Sequence, residues 1–371
     1  MQELTASTDS PIVVHCSGGV GRTGIILLCV ISVTMAQEKG VVDMAYTLNK
    51  LREKRPNMVD NYEQYKLAHL VVLDCLNTLS TEIKCDDRFK HFVNRLLQNK
   101  EDKLEFIYLK ENQWRDEAMK SVASDTRNYT NYPEKNRIQS LVPGNQERVC
   151  LSKLPNQDES STYINAVWVH GYRSPEKFIV TQQPLPNTLS EFWRLIVEKD
   201  IRVVVSLNKI NLLNEDSWIF WPNEDQPQIN PVDFLSVIFE KVVQSTYFDV
   251  YSVKILENGK KKLHVKIYSF KHWESGIHIP PSCEGFLSLL DTVESISHES
   301  RHILVTCWDG FIASGIYVAL SYIIQRMKME EVCDVCLSVR RIRHSREEFI
   351  ANDVQYSFLY SAALCWMEKN T

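Results

Sequence analysis

Residues 15–24 read HCSGGVGRTG, and residues 306–315, at a constant shift of 291 positions, read TCWDGFIASG. In the first stretch Cys16 and Arg22 bracket five residues, three of which are glycine. The apolar run 11–14 before it predicts a buried strand, and the apolar segment 25–36 after it predicts a helix. A strand, a glycine-rich turn and a helix together direct backbone N–H groups towards an anion, with the positive end of the helix dipole behind them. The stretch therefore predicts a phosphate-binding loop.

The reactive group predicted for this loop is the thiol of Cys16. A thiol at the positive end of a helix is expected to have a lowered pKa, which favours the nucleophilic thiolate. Its attack on phosphorus would form a phosphocysteine intermediate, while the Arg22 guanidinium can hold two phosphoryl oxygens. Either Thr23 or Ser17 could hydrogen-bond the sulfur and help it leave. A buried cysteine in a tight turn is the alternative, and the full string between strand and helix favours the nucleophile. The predicted phosphate-binding residues are Ser17, Gly18, Gly19, Val20, Gly21, Arg22 and Thr23.

The ten-residue string resembles the active-site loop of protein tyrosine phosphatases. Residues 63–65 (EQY) are similar to the closing segment of that family, and the resemblance implies that Gln64 helps to position the hydrolytic water. A second, longer match begins with KNR at 135–137 and continues through YINA at 163–166, TQQPL at 181–185, FW at 192–193 and WP at 221–222. Two such domains in tandem resemble the intracellular half of a receptor-type tyrosine phosphatase. The resemblance implies hydrolysis of phosphotyrosine in proteins without a metal or a cofactor.

An internal repeat runs through the two matches. At the shift of 291, residues 12–75 correspond to residues 303–366 without a gap. The identical pairs include Cys16 and Cys307, Gly19 and Gly310, Gly24 and Gly315, Asp43 and Asp334, Arg55 and Arg346, and Gln64 and Gln355. We therefore expect residues 1–78 to be the C-terminal fragment of a first phosphatase domain, with its nucleophile loop at 15–24. Residues 79–371 are expected to form a complete second domain.

The segments between the two copies predict an α/β fold, a twisted mixed β-sheet flanked by helices, in one complete domain preceded by a truncated copy. Apolar residues recur at helical spacing in 89–97 and 104–114. Strands are predicted at 201–207, 248–255, 263–270 and 303–305. Residues 257–259 predict a turn, so the basic run 259–262 is interpreted as a hairpin tip rather than a ligand patch. Residues 76–87 are expected to be a polar joint, and 223–230 a loop.

The second stretch keeps a cysteine but loses the residues that would hold a phosphate. Ala313 stands in the arginine position, so Cys307 has no guanidinium beside it. The next two residues are Trp308 and Asp309, which would place an indole in the cradle and a carboxylate against a dianion. We therefore expect the second loop to be catalytically inactive.

The resemblance implies a general acid in a Trp-Pro-Asp-x-Gly loop, and the corresponding residues 272–276 read HWESG. Aligned on the tryptophan, Ser275 takes the aspartate position; aligned on the glycine, Glu274 takes it. Serine cannot protonate a leaving phenolate as a carboxylic acid does. In addition, Ile138 stands where the family has a substrate-stacking tyrosine, and Ala351 replaces the first glutamine of the closing segment. These departures add to the prediction of a degenerate second site.

Two interpretations of Cys307 follow. The favoured one is a packed, buried thiol without chemistry. The alternative is a redox-sensitive cysteine, which requires thiolate character that Ala313 and Asp309 would weaken.

The first loop is intact, but the sequence holds little else of its domain. Residues 1–77 contain one predicted strand and no aspartate loop, recognition tyrosine or neighbouring strand. Asp60 stands where the family has its first closing-segment glutamine, and it would bring a carboxylate close to the phosphate site. We therefore expect the first domain to be truncated and this chain to be inactive or weakly active, so whether it acts as an enzyme stays open.

Three functional hypotheses follow from the resemblance. The parent protein would hydrolyse phosphotyrosine in proteins through a cysteinyl-phosphate intermediate on Cys16. Alternatively, the chain is a pseudophosphatase module of tyrosine-kinase signalling, with protein partners docking on its second domain. The third hypothesis is that the sequence is an incomplete record of a longer protein, a single-pass membrane receptor with these domains on the cytosolic side.

Composition limits the partners further. The net charge is −5 and no Lys/Arg block suggests nucleic-acid or membrane-surface binding. The ten cysteines have no paired short spacing except Cys333 and Cys336, a weak metal signal, so reduced cytoplasmic thiols are the better interpretation. The longest apolar run, 25–36, is too short to span a bilayer and predicts a core helix.

Overall fold

The computed structural model describes residues 11–77, 81–113, 132–144, 147–155, 157–210, 218–297 and 300–370. The chain forms two compact units. The first comprises Met1–Ser80 and Lys110–Asp125, and the second comprises Thr81–Leu109 and Thr126–Thr371.

The first unit is built on three helices: α1 (Gly21–Lys39), α2 (Met44–Lys54) and α3 (Tyr62–Asn77). Helix α1 contains the predicted segment 25–36 and ends at Gly40, whose φ of 67° lies in the left-handed region that glycine adopts without strain. The shared core consists of Leu28, Cys29, Met44, Leu48, Val59, Ala68 and Val72.

The strand predicted at 11–14 is wrong. These residues have no regular structure, and the side chains of Ile12 and Val13 are 41% and 83% exposed. A strand must pair its backbone groups, and the described part of the first unit offers no other strand. The apolar run is therefore left in solvent.

The second unit carries seven α-helices in its described part, including both of the helices predicted between the two copies. They are α4 (Phe89–Gln98), α5 (Glu101–Glu111), α6 (Leu189–Glu198), α7 (Cys283–Ser295), α8 (Ile312–Glu330), α9 (Val335–Arg343) and α10 (Asp353–Asn370). Helix α4 confirms the prediction at 89–97. Helix α5 begins three residues before the predicted 104 and ends at Glu111; residue 114 lies outside the described residues.

A mixed sheet of nine strands forms the centre of the second unit. A two-stranded antiparallel ladder, β1 (Ile83–Lys84) with β11 (Val332–Cys333), lies apart from it. The nine strands are β2 (Arg148–Cys150), β3 (Tyr163–Gly171), β4 (Ser174–Gln182), β5 (Val203–Ser206), β6 (Gln228–Val232), β7 (Leu235–Gln244), β8 (Phe248–Glu257), β9 (Lys260–Phe270) and β10 (Ile303–Cys307). Their order is β2-β3-β4-β10-β5-β9-β8-β7-β6, and the central strands β4, β10, β5 and β9 are parallel. The predicted fold class is confirmed.

All four predicted strands and the hairpin turn are present. Asn258 and Gly259 turn between β8 and β9 with φ values of 50° and 75°, so the basic run lies at a hairpin, as predicted. The loop predicted at 223–230 is partly wrong, because β6 starts at Gln228 and pairs with β7. The polar joint is also partly wrong, because α3 extends to Asn77 and Ile83 pairs with Cys333. At Ile83 pairing with a strand distant in sequence overrides local composition, whereas β6 pairs with the adjacent strand β7 in a hairpin.

The sheet separates two hydrophobic cores. Successive residues of a strand point to opposite faces, and on β10 the side chain of Val305 joins one core while that of Leu304 joins the other. All five residues of β10 are buried, which is typical of a central parallel strand. Because β10 is held on both sides, the loop after Cys307 starts from a fixed position.

The internal repeat reappears in the structure. Helices α1 and α8 begin at Gly21 and Ile312, which the shift of 291 pairs, and both contain 19 residues. Asp43 accepts a hydrogen bond from the Tyr46 N–H at the start of α2, and its counterpart Asp334 accepts one from Leu337 at the start of α9. The two units therefore share one local scaffold around their loops.

Candidate phosphate-binding loops

In the first loop the Cys16 sulfur is surrounded by hydrogen-bond donors. The Thr23 hydroxyl donates to Sγ over 3.1 Å, and the Gly19 N–H donates over 3.2 Å. These bonds favour the thiolate, and they lower the pKa of Cys16 from its ordinary 9.0 to about 7, with the Thr23 hydroxyl as the largest cause. Of the two residues predicted to contact the sulfur, Thr23 does so.

The predicted anion ligand Arg22 lies on the open side of this loop. Its side chain is exposed, and Nη2 donates to Ser17 Oγ over 3.3 Å. Gly19 has a φ of 65°, and Arg55 Nη2 donates to the Gly18 carbonyl over 3.2 Å. The loop is thus closed by a glycine turn and supported by a second arginine from the end of α2.

The closing segment reaches the loop through Gln64. Its Oε1 accepts from the Asp60 N–H over 2.8 Å, and its own N–H donates to Asn61 Oδ1 over 2.9 Å. A Cβ at Gly21 would lie 2.8 Å from Gln64 Nε2, so the amide packs directly against the loop. The predicted water-positioning residue is therefore placed beside the predicted phosphate site, together with the exposed Asp60.

In the second loop the cysteine is closed off from solvent. Cys307 is fully buried, and its Sγ donates to Asp309 Oδ1 over 3.3 Å. Burial first, and the neighbouring carboxylate second, raise the pKa of Cys307 to about 12. This environment agrees with the favoured interpretation of a packed thiol.

Asp309 occupies the anion position of its own loop. The same Oδ1 accepts from the backbone N–H groups of Phe311 and Ile312, over 2.8 and 2.9 Å, at the start of α8. The sequence predicted only that this carboxylate would repel a dianion. The structure shows in addition that it binds the N–H groups a phosphate would need. An aspartate just before a helix start is a capping signal that could have revealed this.

Two further residues of the second loop, Ala313 and Trp308, also pack closely within the protein. Ala313 is fully buried at the arginine position. The backbone N–H of Trp308 donates to Asn208 Oδ1 over 2.8 Å, and the Arg137 guanidinium lies 4.9 Å from the centre of the Trp308 ring. The amide thus holds the Trp308 backbone, and the predicted indole makes a cation–π contact beside the second loop.

The two candidate acids of the second unit both point to solvent. Trp273 is fully buried, and its Nε1 donates to the Ile277 carbonyl over 2.8 Å. Glu274 and Ser275 are exposed, and Glu274 pairs with Lys209 over 3.2 Å. The alignment of this segment stays open between them.

In the closing segment of the second unit, the Gln355 side chain forms hydrogen bonds within the protein. Gln355 is buried; its Oε1 accepts from the Ala351 N–H over 2.7 Å and its Nε2 donates to the His278 carbonyl over 3.3 Å. Ala351 is exposed, and Ile138 is half-buried. Gln355 thus ties the segment after Trp273 in place rather than facing a ligand.

Sequence reasoning missed the role of Arg346. It is buried and donates to the Gly310 carbonyl over 3.3 Å and to Asn165 Oδ1, and burial lowers its pKa. The repeat pairs it with Arg55, which also donates to a carbonyl of its own loop, that of Gly18, one position earlier in the repeat. That pairing was the available signal for a loop-supporting arginine.

Known proteins are similar in sequence to this chain. The profile of the protein-tyrosine phosphatase family matches residues 1–74 and 132–365. The chain is 30% identical over 366 residues to tyrosine-protein phosphatase 69D of Drosophila melanogaster, covering 95% of this chain and 24% of the relative. It is 30% identical over 386 residues to receptor-type tyrosine-protein phosphatase U of Gallus gallus, covering 100% and 26%. For tyrosine-protein phosphatase Lar-like of Caenorhabditis elegans the identity is 29% over 378 residues, covering 98% and 16%.

The chain spans only about a quarter, or less, of the length of these relatives. Of the helices within the described ranges, none combines the length and the apolar surface that a bilayer crossing requires. The matched segments contain both loops and both closing segments. The chain belongs to the protein-tyrosine phosphatase family, and its relatives include receptor-type members.

Proposed function

We propose that Cys16 and Arg22 form the phosphotyrosine-hydrolysing site of the parent protein, and that residues 79–371 form a catalytically silent phosphatase domain that docks protein partners. One observation carries this proposal. Two copies of one scaffold hold their cysteines in different environments: N–H and O–H donors to the sulfur lower the pKa of Cys16 to about 7, whereas burial beside Asp309 raises that of Cys307 to about 12.

The first loop has the parts for nucleophilic attack. The Cys16 thiolate attacks phosphorus and the tyrosine phenolate leaves, which gives a cysteinyl phosphate. Arg22, exposed beside the loop, would hold the phosphoryl oxygens, and the Thr23 hydroxyl would stabilise the sulfur when it leaves again. Gln64, which packs against Gly21, would direct the water that releases phosphate.

The described part of the first unit supplies no general acid for this site. In the described part of the first unit, no Trp-Pro-Asp segment is present to protonate the leaving phenolate. Substrates with good leaving groups need no such proton. We therefore propose weak activity in this chain, restricted to activated aryl phosphates.

Three features support a silent second domain. Asp309 binds the N–H groups that a phosphate would use. Ala313 supplies no guanidinium, and Cys307 is buried and held as a thiol. A folded domain of this size without chemistry is suited to binding or regulation, which is the docking role we propose. With receptor-type relatives and ten free cysteines, we place the chain on the cytosolic side of the membrane of a longer receptor.

Turnover of para-nitrophenyl phosphate by the full chain tests the proposal. We expect slow turnover that Cys16→Ser abolishes and the matched variant Cys307→Ser leaves unchanged. Turnover that survives Cys16→Ser but disappears in Cys307→Ser would reverse the assignment of the two loops.

A further inference from the structure

A groove that neither loop contributes to crosses β7, β8 and β9 of the second unit. It encloses about 630 Å³. Its lining includes five cationic side chains and one carboxylate: Arg202, Lys241, Lys261, Lys262, Lys266 and Glu240. Because the whole chain has a net charge of −5, this positive charge is a local concentration.

The strand register spaces the lysines. Lys241 of β7 pairs with Ser252 of β8, which in turn pairs with Lys266 of β9. In the next row along, Lys254 pairs with His264. Directly opposite like charges destabilise a sheet, and here Lys241 and Lys266 face Ser252, while Lys261 faces Leu256. Lys241 and Lys261 therefore lie two strands apart and are offset by four residues along β8, which separates their Cα atoms by roughly 15–17 Å.

Only part of this charge is neutralised within the chain. Lys262 pairs with Glu257 over 3.0 Å, and Glu240 contacts His264 Nδ1 over 3.1 Å. Lys241 and Lys261 are exposed, and within the described ranges neither forms an ion pair or a hydrogen bond. Two ammonium groups are therefore free to contact an anionic partner.

We propose that this groove binds an extended acidic segment of a partner protein, with carboxylates or phosphates on alternate residues. Side chains on one side of an extended peptide repeat every ~7 Å, so two acidic side chains that are two repeats apart, at ~14 Å, can reach Lys241 and Lys261 together. A flat anionic membrane fits such a groove less well, because its headgroups lie in a plane. The inference rests on the docking role proposed for the second domain and names the chemical class of its partner.

Fluorescence anisotropy of a labelled (Ser-Glu)6 peptide with the full chain tests this assignment. The variant carries Lys241→Glu and Lys261→Glu. The control carries Lys90→Glu and Lys369→Glu, two exposed lysines outside the groove that change the net charge equally. We expect the groove variant to bind at least about tenfold more weakly, and the control to bind like the parent. A (Ser-Lys)6 peptide should bind the groove variant better than the parent, a gain that misfolding cannot produce.

Equal binding by groove variant and control, or no binding by the parent chain, would overturn the inference. So would tighter binding to phosphatidylserine vesicles than to the peptide, lost in the same variant. The para-nitrophenyl phosphate assay separates the two proposals. A failed peptide titration with Cys16-dependent turnover rejects the groove alone, whereas Cys307-dependent turnover rejects the silent domain whatever the peptide does.

Discussion

The loops at Cys16 and Cys307 follow the same turn into equivalent helices, yet they prepare opposite chemistry. In the first, the donors around the sulfur leave the anion position open. In the second, Asp309 takes that position and also accepts from the sulfur itself. The scaffold of glycine turn, helix start and supporting arginine is common to both. The chemistry therefore depends on a few side chains added to that scaffold.

The comparison also shows how one of the loop's own side chains can keep the second loop ordered. Backbone N–H groups at a helix start need an acceptor when they are buried. A phosphate or water can serve an open loop, but a closed one needs an internal acceptor. The Asp309 carboxylate provides it, so the second loop keeps its shape without a ligand.

Thiol reactivity should show the largest difference between the loops. In the native chain, iodoacetamide should label Cys16 at a rate that rises with pH through about 7 and then levels off, because the thiolate reacts. Cys307, buried and with a pKa of about 12, should react several orders of magnitude more slowly. Peptide mapping by mass spectrometry gives both rates. Similar rates in the folded protein would contradict the contrast.

The two turn glycines that the internal repeat pairs, Gly19 and Gly310, should differ in the destabilisation that an added Cβ causes. A Cβ at Gly310 would lie 2.7 Å from the Gln182 backbone nitrogen, so Gly310→Ala should destabilise the second unit by about 3 kcal/mol. At Gly19 the nearest atoms belong to the flexible Arg55 side chain, and Gly19→Ala should cost about 1 kcal/mol, mainly for the positive φ.

Hydrogen exchange in urea, followed in peptides from each unit, measures both effects separately. Gly40→Ala is a suitable control, since it has a positive φ and no atom within 4 Å of its Cβ. A cost at Gly310 no larger than that at Gly40 would show that β4 does not confine the second loop.

Placing a carboxylate in the first loop, at the position of Asp309 in the second, should disfavour the Cys16 thiolate. Gly18 corresponds to Asp309, and a Cβ there makes only an ordinary 3.5 Å contact with Val20. Gly18→Asp should raise the pKa of Cys16 by about 1–2 units, because the carboxylate disfavours the thiolate. The isosteric Gly18→Asn is the control and should shift the labelling midpoint much less. An equal shift in both variants would mean that shape, not charge, separates the loops.

The smallest effect is expected at the Thr23 hydroxyl. Thr23→Val keeps the shape of this buried side chain but removes its bond to Sγ, so the pKa of Cys16 should rise by about one unit. Thr23→Ser keeps a hydroxyl and should leave the labelling midpoint near 7. If valine and serine gave the same midpoint, the backbone donors alone would account for the lowered pKa.

Much of this architecture was predictable from the sequence, because the repeat and the apolar periodicity are strong signals. The helices at 25–36 and 89–97 and the strands around β5, β8, β9 and β10 follow from local pattern. The run 11–14 has an equally strong strand pattern, but a pattern cannot supply partner strands, and the run is exposed. Ile83 entered a strand through a partner distant in sequence, Cys333, and Gln228 entered one through the adjacent strand β7; composition reveals neither.

The site was predictable in its residues but less so in its contacts. Cys16, Arg22 and Thr23 were identified from the ten-residue string, but the string left both Thr23 and Ser17 as candidates for the bond to the sulfur, and the structure shows that Thr23 forms it. The bond from Cys307 to Asp309 and the two N–H groups that Asp309 caps depend on side-chain rotamers, which spacing alone does not fix. Glu274 and Ser275 could not be separated by alignment because the segment 272–276 lacks the proline of the Trp-Pro-Asp-x-Gly pattern.

Protection by tungstate tests the central contrast most directly. Tungstate is a tetrahedral dianion that mimics phosphate without reacting, and native-chain alkylation by iodoacetamide reports each cysteine separately. We predict that saturating tungstate suppresses alkylation of Cys16 and leaves the slow alkylation of Cys307 unchanged. The account would be contradicted if tungstate left the alkylation of Cys16 unchanged, or if it slowed the alkylation of Cys307. Either result would mean that the first loop does not bind the anion, or that Asp309 does not fill the second loop.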